Sequence, residues 1–374
     1  MIKPQKLNKG DKIAIVSLSR GLLGMPFCKH ELDIAIRRLK EFGLEPVIMP
    51  NALKDMKYIE EHPEARASDL KAAYMDDSIK AIITAIGGID TYKTIPYLMD
   101  DSEFIEAVRN NPKIFTGFSD TTNNHLMFNR IGLSTFYGPC LLVDIAELDK
   151  EMLPYTKEQF EKFFKDEDGY EIKISPVWYS DRKSYGPEEV GKPRESHQES
   201  HGFETLNGGG TVTGKLYGGC IESIYDAFTG ASFEDEPSVY EKYGIFPTEE
   251  EWKEKVLFLE TSELTATPEE LEKMLMEFKN RNIFNLVKGL IVGKPMDEKY
   301  YDEYKEVYKK VFTDLKTPVL FNVNFGHSVP RCIIPYDAES TIDYDNKKIF
   351  INGPIFDKNL SNTKKVWKLL FFEF

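Results

Sequence analysis

The stretch Lys113-Ile114-Phe115-Thr116-Gly117-Phe118-Ser119-Asp120 carries a short apolar run into Gly-x-Ser, and helical periodicity follows from Thr121 to Arg130. That order predicts a strand, a sharp turn on a glycine, and a serine lifted at the start of a helix, which is how a nucleophile elbow is built. The serine oxygen is then exposed, and the next backbone N–H groups point where an oxyanion would form. Thr121 stands where such an elbow usually has its second glycine. A serine N-cap on an ordinary strand-to-helix turn fits the same residues, so the flanking sequence has to decide.

Upstream of the elbow, strand and helix signals alternate. Lys12–Ser17, Glu45–Met49 and Ile79–Ala85 read as strands, and Lys29–Phe42, Ala65–Tyr74 and Thr91–Met99 as helices. This rhythm implies a parallel sheet with helices on both faces, whose strand carboxyl ends line one ligand-binding edge. The expected fold is α/β: an N-terminal parallel-sheet domain over residues 1–165 and a smaller C-terminal α/β domain over 209–353. Residues 166–208, polar over Lys183–Gly202, read as linker and loop, and 354–374 as a tail whose apolar end, Leu369–Phe374, could pack on the body. In the second domain Thr211–Leu216, Lys255–Glu260, a segment within Ile283–Val292, and Pro318–Val323 read as strands. Cys220–Phe228, Pro268–Lys279 and Asp297–Thr313 read as helices, and Ser340–Asp343 with Lys348–Ile351 as a hairpin.

The 374 residues carry a formal net charge of -14. Nucleic acid and anionic membrane both call for clustered Lys and Arg, so neither is expected as a partner. No stretch reaches the length of a membrane span, and the lysines at 3, 6 and 9 are not followed by a signal-peptide apolar region. Cys28, Cys140, Cys220 and Cys332 form no C-x-x-C pair. Reduced thiols in a cytoplasm fit them, and neither a metal nor a cofactor is expected. His197 and His201 are four apart in the polar loop, but Glu199 is misplaced for H-E-x-x-H, and a solvated loop is the simpler reading.

A serine nucleophile needs a base, and the base an orienting carboxylate. His327, in Asn324-Phe325-Gly326-His327-Ser328 after the Pro318–Val323 run, sits at a strand end on a backbone free to turn; a capped turn histidine is the alternative. Glu260 closes the apolar run Val256-Leu257-Phe258-Leu259, where it is either paired with an imidazole or simply solvated. Gly87-Gly88 ends the Ile79–Ala85 strand on the same edge as the elbow; these residues make either a plain turn or, with the N–H of Asp120, oxyanion donors. Serine, acid, histidine is also the chain order of α/β-hydrolases.

Six segments in order resemble the LD-carboxypeptidase family of serine peptidases, closest to its microcin-immunity branch. They are the Pro4-to-Ser17 opening with Leu7, Gly10-Asp11 and IAIVS; Ala85-Ile86-Gly87-Gly88; GFSDTT from Gly117; Gly214-Lys215-Leu216-Tyr217-Gly218-Gly219; Leu257-Phe258-Leu259-Glu260; and Gly326-His327 followed by Pro335. The resemblance covers roughly residues 3 to 345. It implies a flavodoxin- or class I amidotransferase-like first domain and a Ser119, Glu260, His327 triad, with oxyanion donors at Gly88 and Asp120. It also implies a small peptide or peptidyl-nucleotide substrate, and a homodimer. The branch that recycles peptidoglycan usually has an arginine before the glycine pair and an aromatic-glycine after it, where this chain has Ile86 and Ile89-Asp90. Gly-Gly-Asn-Leu is replaced by Gly218-Gly219-Cys220-Ile221, so Glu222 becomes a candidate for setting charge preference. Gly87 and Trp178 are the other candidate substrate contacts, Trp178 as a nucleobase stacker or as ordinary packing. The competing expectations are a catalytically inactive ligand-binding homologue and a murein tetrapeptide carboxypeptidase. An amidotransferase-like enzyme would need a cysteine at the elbow, and none of the four cysteines is placed there.

Overall fold

The computed structural model describes residues 1–358; the apolar segment Leu369–Phe374 lies outside them. The first half supplies β1 (Lys12–Val16), β2 (Glu45–Ile48), β3 (Ile79–Thr84), β4 (Ile114–Gly117) and β5 (Phe136–Tyr137). β6 (Gly169–Ile172), β7 (Val177–Tyr179), β8 (Ser196–Gln198), β9 (Glu204–Asn207) and β10 (Thr211–Cys220) follow. The rest are β11 (Lys255–Glu260), β12 (Gly289–Gly293), β13 (Val319–Val323), β14 (Ile334–Pro335), β15 (Glu339–Asp343) and β16 (Lys348–Asn352).

Two sheets organise the molecule. The first runs β2-β1-β3-β4-β5-β14; all its pairs are parallel except the last. Its order 2-1-3-4-5 is the flavodoxin-like winding, as expected. The second runs β6-β16-β15-β10-β11-β12-β13-β9 with a parallel centre, β10 to β13. Its central strands are buried along their length, as in KVLFLE of β11 and VLFNV of β13. Such runs without alternation are what parallel strands covered on both faces require. The helix Pro268–Asn280 shows the local logic. Thr267 and Glu270 form a capping box, Pro268 occupies the first turn, and Leu271, Met274, Leu275 and Phe278 make the buried stripe.

Three features depart from the sequence reading. The 166–208 stretch is more structured than a linker: β6 and β9 extend the second sheet, and β7 pairs with β8. Its charges explain why hydrophobicity does not report this. Buried Glu147 accepts from Arg182 and, at 2.6 Å, from Arg194, so ion pairs rather than apolar contacts fix the segment to the first domain. Removing one partner of such a cluster typically costs about 3–5 kcal/mol. Second, β14 leaves the second half of the chain to close the edge of the first sheet. Third, the reading Asp297–Thr313 starts too early. Asp297, Glu298 and Tyr300 have left-handed backbones, and the helix runs Tyr301–Phe312.

The strands that matter end together. β4 leads into Ser119, β11 terminates in Glu260, and β13 is followed four residues later by His327. Ser119, Glu260 and His327 therefore all lie at or just beyond the carboxyl ends of parallel strands, the edge at which such sheets bind ligands.

Candidate active site

The turn at Ser119 is strained. Phe118 is extended, Ser119 has φ 65°, and a 3-10 turn, Ser119–Thr121, passes into the helix Thr122–Ile131. A non-glycine residue in the left-handed region costs of order 1–3 kcal/mol and persists only where its surroundings hold it. Here the Ser119 N–H donates to the Tyr137 hydroxyl at 3.0 Å. The next residue is anchored harder. The buried Asp120 carboxylate accepts from Ser19 Oγ (2.5 Å), Thr91 N (2.9 Å), Thr91 Oγ1 (2.6 Å) and Asn123 Nδ2 (2.7 Å). Burial raises its pKa, which these donors oppose. Gly87 lies directly against the serine: a Cβ there would fall 2.7 Å from Ser119 Cβ and 2.9 Å from its Oγ. Only glycine lets this loop pass so close.

Glu260 is buried and fully engaged. Its Oε1 accepts from the Tyr137 hydroxyl at 2.6 Å, and its Oε2 accepts from the His327 backbone N–H at 3.1 Å and from Nδ1 at 2.8 Å. Gly326 makes this possible, because a Cβ on it would sit 2.2 Å from Glu260 Cδ, on a backbone with φ +73°. The other ring nitrogen, Nε2, is 3.1 Å from Ser119 Oγ. Phe118 abuts the imidazole edge to face at 5.0 Å. Ser119, His327 and Glu260 thus form one hydrogen-bonded chain, assembled from residues 208 and 67 positions apart.

A second carboxylate reaches the histidine: Glu263 Oε2 is 2.9 Å from Nε2. Burial opposes the imidazolium, but Glu260 and Glu263 outweigh it and hold the His327 pKa at about 10. The contact with His327 holds Glu263 below the usual carboxylate range.

A cleft of about 500 Å³ opens over these groups, lined by Gly87, Gly88, Phe118, Ser119, Glu263 and His327 among others. The N–H groups of Gly88 and Asp120 make no hydrogen bond within the chain among the described residues, so both remain available as donors. Three arginines also line the cleft. Arg194 is bound to Glu147 and Asp181, and Arg331 to Asp144, whereas exposed Arg20 makes no ion-pair contact with a carboxylate among the described residues, although it lies near enough to Glu263 to favour its charge. Cys28 lines the cleft too, but burial and the neighbouring Glu31 push its thiol up to about 12, so it offers no competing nucleophile.

The structure therefore gathers Ser119, Glu260, His327, Gly87, Gly88 and Asp120, and leaves two expected contacts outside the cleft. Trp178, on β7, stacks on His197 at 4.0 Å with Lys294 Nζ 5.2 Å from its ring. Glu222 accepts from Ser262 N and Oγ, each at 2.9 Å, and from the Cys220 thiol at 3.2 Å. It pins the turn after β11. His201 stacks on Tyr301 rather than joining His197. Among the described residues one His/Cys/acid group, Cys220, Glu260 and His327, has ligand atoms within 4.8 Å of one another. Its imidazole and carboxylate already bind each other, and we do not read it as a metal site.

Tyr137, Glu263 and Arg20 were missed in the sequence. Arg20 had a signal, since it follows β1 on the same sheet edge as the elbow. Tyr137 sits in the short apolar run before Gly138, readable as a strand, but nothing there announces a hydroxyl bridging the elbow and the acid. Glu263 lies in a polar turn with no pattern.

An elbow serine joined through histidine to a buried carboxylate, at the carboxyl edge of parallel strands, defines an α/β enzyme of the serine hydrolase type. The family models for the LD-carboxypeptidase N-terminal domain and C-terminal domain match residues 13–138 and 213–342. The chain belongs to the LD-carboxypeptidase family and is a serine peptidase of that family. An MccF-like protein from Streptococcus pneumoniae, solved in complex with AMP, superposes with a TM-score of 0.86 at 43% identity, covering 92% of this chain and 99% of that one. A probable murein peptide carboxypeptidase from Bacillus subtilis is 26% identical over 94% of this chain and 95% of its own. The microcin C7 self-immunity protein MccF of Escherichia coli is 27% identical over 76% of this chain and 77% of its own. Among the described residues no helix is long and apolar enough to cross a membrane.

Proposed function

We propose that this enzyme hydrolyses an amide bond near a free carboxylate in a small peptide or peptidyl-nucleotide, through an acyl-enzyme on Ser119. The observation that carries the reading is the Ser119–His327–Glu260 hydrogen-bonded chain at the floor of the cleft. His327 takes the Ser119 proton as Oγ attacks the carbonyl carbon, and the N–H groups of Gly88 and Asp120 receive the oxyanion. When the intermediate collapses, His327 returns that proton to the leaving amine. Water then attacks the ester, deprotonated by the same imidazole, and releases the acid and free serine. Glu260 keeps the ring oriented and stabilises its charged form throughout.

The nucleotide part of the reading draws on the AMP complex of the Streptococcus pneumoniae relative, together with Ile86 in place of the recycling branch's arginine. The Bacillus subtilis relative supports a second reading, murein tetrapeptide cleavage. Four buried free cysteines accord with a cytoplasmic site of action. Hydrolysis of an aminoacyl-sulfamoyl-adenosine set against murein tetrapeptide separates the substrates. Preference for the tetrapeptide rejects the nucleotide reading, and cleavage of neither rejects the proposed substrate class.

Arg20 is the cleft cation available to a substrate carboxylate. Arg20→Gln should raise KM at least tenfold for substrates bearing a free carboxylate beside the scissile amide. kcat should change much less, because the charge pair forms equally in ground and transition states. Equal loss on a carboxamide-capped substrate would dismiss this role.

A further inference from the structure

The imidazole of His327 faces two acceptors through one nitrogen. Nε2 lies 3.1 Å from Ser119 Oγ and 2.9 Å from the Glu263 carboxylate. A neutral ring with its proton on Nδ1, shared with Glu260, would present a lone pair to a carboxylate oxygen, which is repulsive. An imidazolium instead donates from Nε2 to Glu263, and Ser119 then has no base. The two demands exclude each other.

We propose that Glu263 is a positioning residue that occupies Nε2 in the empty enzyme and must leave before Ser119 can be activated, so that substrate entry itself switches the base on. This rests on His327 being the base, as proposed above.

Several observations support it. The two carboxylates are held very differently. Glu260 is 1% exposed at the side chain and accepts from three donors, whereas Glu263 is 58% exposed. The Glu263 side chain has no recorded hydrogen-bond or ion-pair partner except His327 among the described residues, so it can turn toward solvent by giving up that one contact. The residues flanking it are tied, because Glu222 accepts from Ser262 N and Oγ and Lys299 Nζ donates to Thr265 Oγ1 at 2.8 Å. Glu263 also lines the cleft beside Ser119, where the leaving amine of a substrate has to approach Nε2. The raised His327 pKa is the electrostatic counterpart of this clamp. The other charged and titratable groups around the ring are already committed. Tyr137 from β5 donates to Glu260, Cys220 from β10 to Glu222, and Arg331 from the following loop to Asp144. Arg20 also lines the cleft and favours the Glu263 charge, so a substrate carboxylate pairing with Arg20 would weaken the hold on Glu263.

The test is the pH dependence of Ser119 labelling by a fluorophosphonate, in which an Oγ–P bond forms, fluoride leaves and the serine proton passes to His327. Glu263→Gln and Glu263→Ala should label at least tenfold faster than wild type near pH 6.5, with the acid limb moved down by one pH unit or more; one unit corresponds to about tenfold. Imidazole nitrogen shifts of labelled histidine should show the same displacement without any turnover. Equal rates and limbs in all three proteins would overturn the proposal. So would slower labelling with an unmoved limb, which marks a purely structural role. If wild type labels at no pH while the imidazole still titrates one unit lower in Glu263→Gln, the clamp stands and the hydrolase reading fails. An unmoved imidazole rejects the clamp, whatever the labelling shows.

Discussion

Ser119→Ala should abolish turnover, lowering kcat by about 10⁴-fold or more, because removal of the nucleophile leaves only oxyanion-hole and binding contributions. The fold should not notice. The Ser119 side chain makes one recorded hydrogen bond, to His327, while the bond that holds the turn comes from its backbone N–H to Tyr137 and survives the substitution. Alanine keeps the Cβ, so the strain at φ 65° is unchanged. The thermal midpoint should stay within about 2 °C of wild type. Ser119→Gly supplies an internal control. It is equally inactive, yet relief of the left-handed strain should make it about 0.5–1 kcal/mol more stable than the alanine variant, after the greater freedom of glycine in the unfolded chain is counted. Hydrolysis rates and thermal melts on the three proteins decide. Retained activity in Ser119→Ala refutes the mechanism. A glycine variant no more stable than alanine would show that the elbow stores no strain.

The parts of this molecule that could be read from sequence are those in which one local rule acts at a time. The run Ile79–Thr84, buried and β-branched, and Lys29–Glu41, periodic and closed by Gly43, each carry their own signal, and their alternation is enough for a parallel sheet covered on both faces, while the flavodoxin-like form came through family resemblance. The elbow was legible for the same reason, while its missing second glycine was legible only through family resemblance. Glu260 was ambiguous because local sequence cannot say whether a strand-end carboxylate is solvated. What buries it comes from elsewhere: Tyr137 is 123 positions away and His327 is 67. The segment 166–208 was read as linker because it is polar. Its order comes from Arg182 and Arg194 converging on Glu147, and ion-pair partners leave no periodic trace. Trp178 was singled out through the resemblance to the immunity-like branch, where an aromatic in this region can stack on a nucleobase, with ordinary packing as the alternative. The structure gives its face to His197, a contact set by the β7–β8 register and invisible in either residue alone.

Glu260→Gln should lower kcat by about 10³–10⁴-fold, the loss expected when the orienting carboxylate of a serine hydrolase is neutralised without changing its shape. The amide can keep most of the local hydrogen bonds. Its oxygen can face the two His327 N–H donors, and its nitrogen can donate to the Tyr137 hydroxyl, which already accepts from Ser119 N. What disappears is the negative charge that offsets burial of the imidazolium. The sign for pH follows directly. Glu260 raises the His327 pKa, so its neutralisation lowers it, and the acid limb of activity should move to lower pH even as the plateau falls. This separates the two glutamates around the ring. Both substitutions shift the limb in the same direction, but Glu263→Gln removes an exposed competitor for Nε2 and should raise the rate along that limb. Glu260→Gln removes the group that stabilises the charged ring as Ser119 gives up its proton, and should depress the rate at every pH. A Glu260→Gln enzyme within tenfold of wild type at its own optimum would mean that charge on Glu260 contributes little to the reaction. The base would then act through orientation alone.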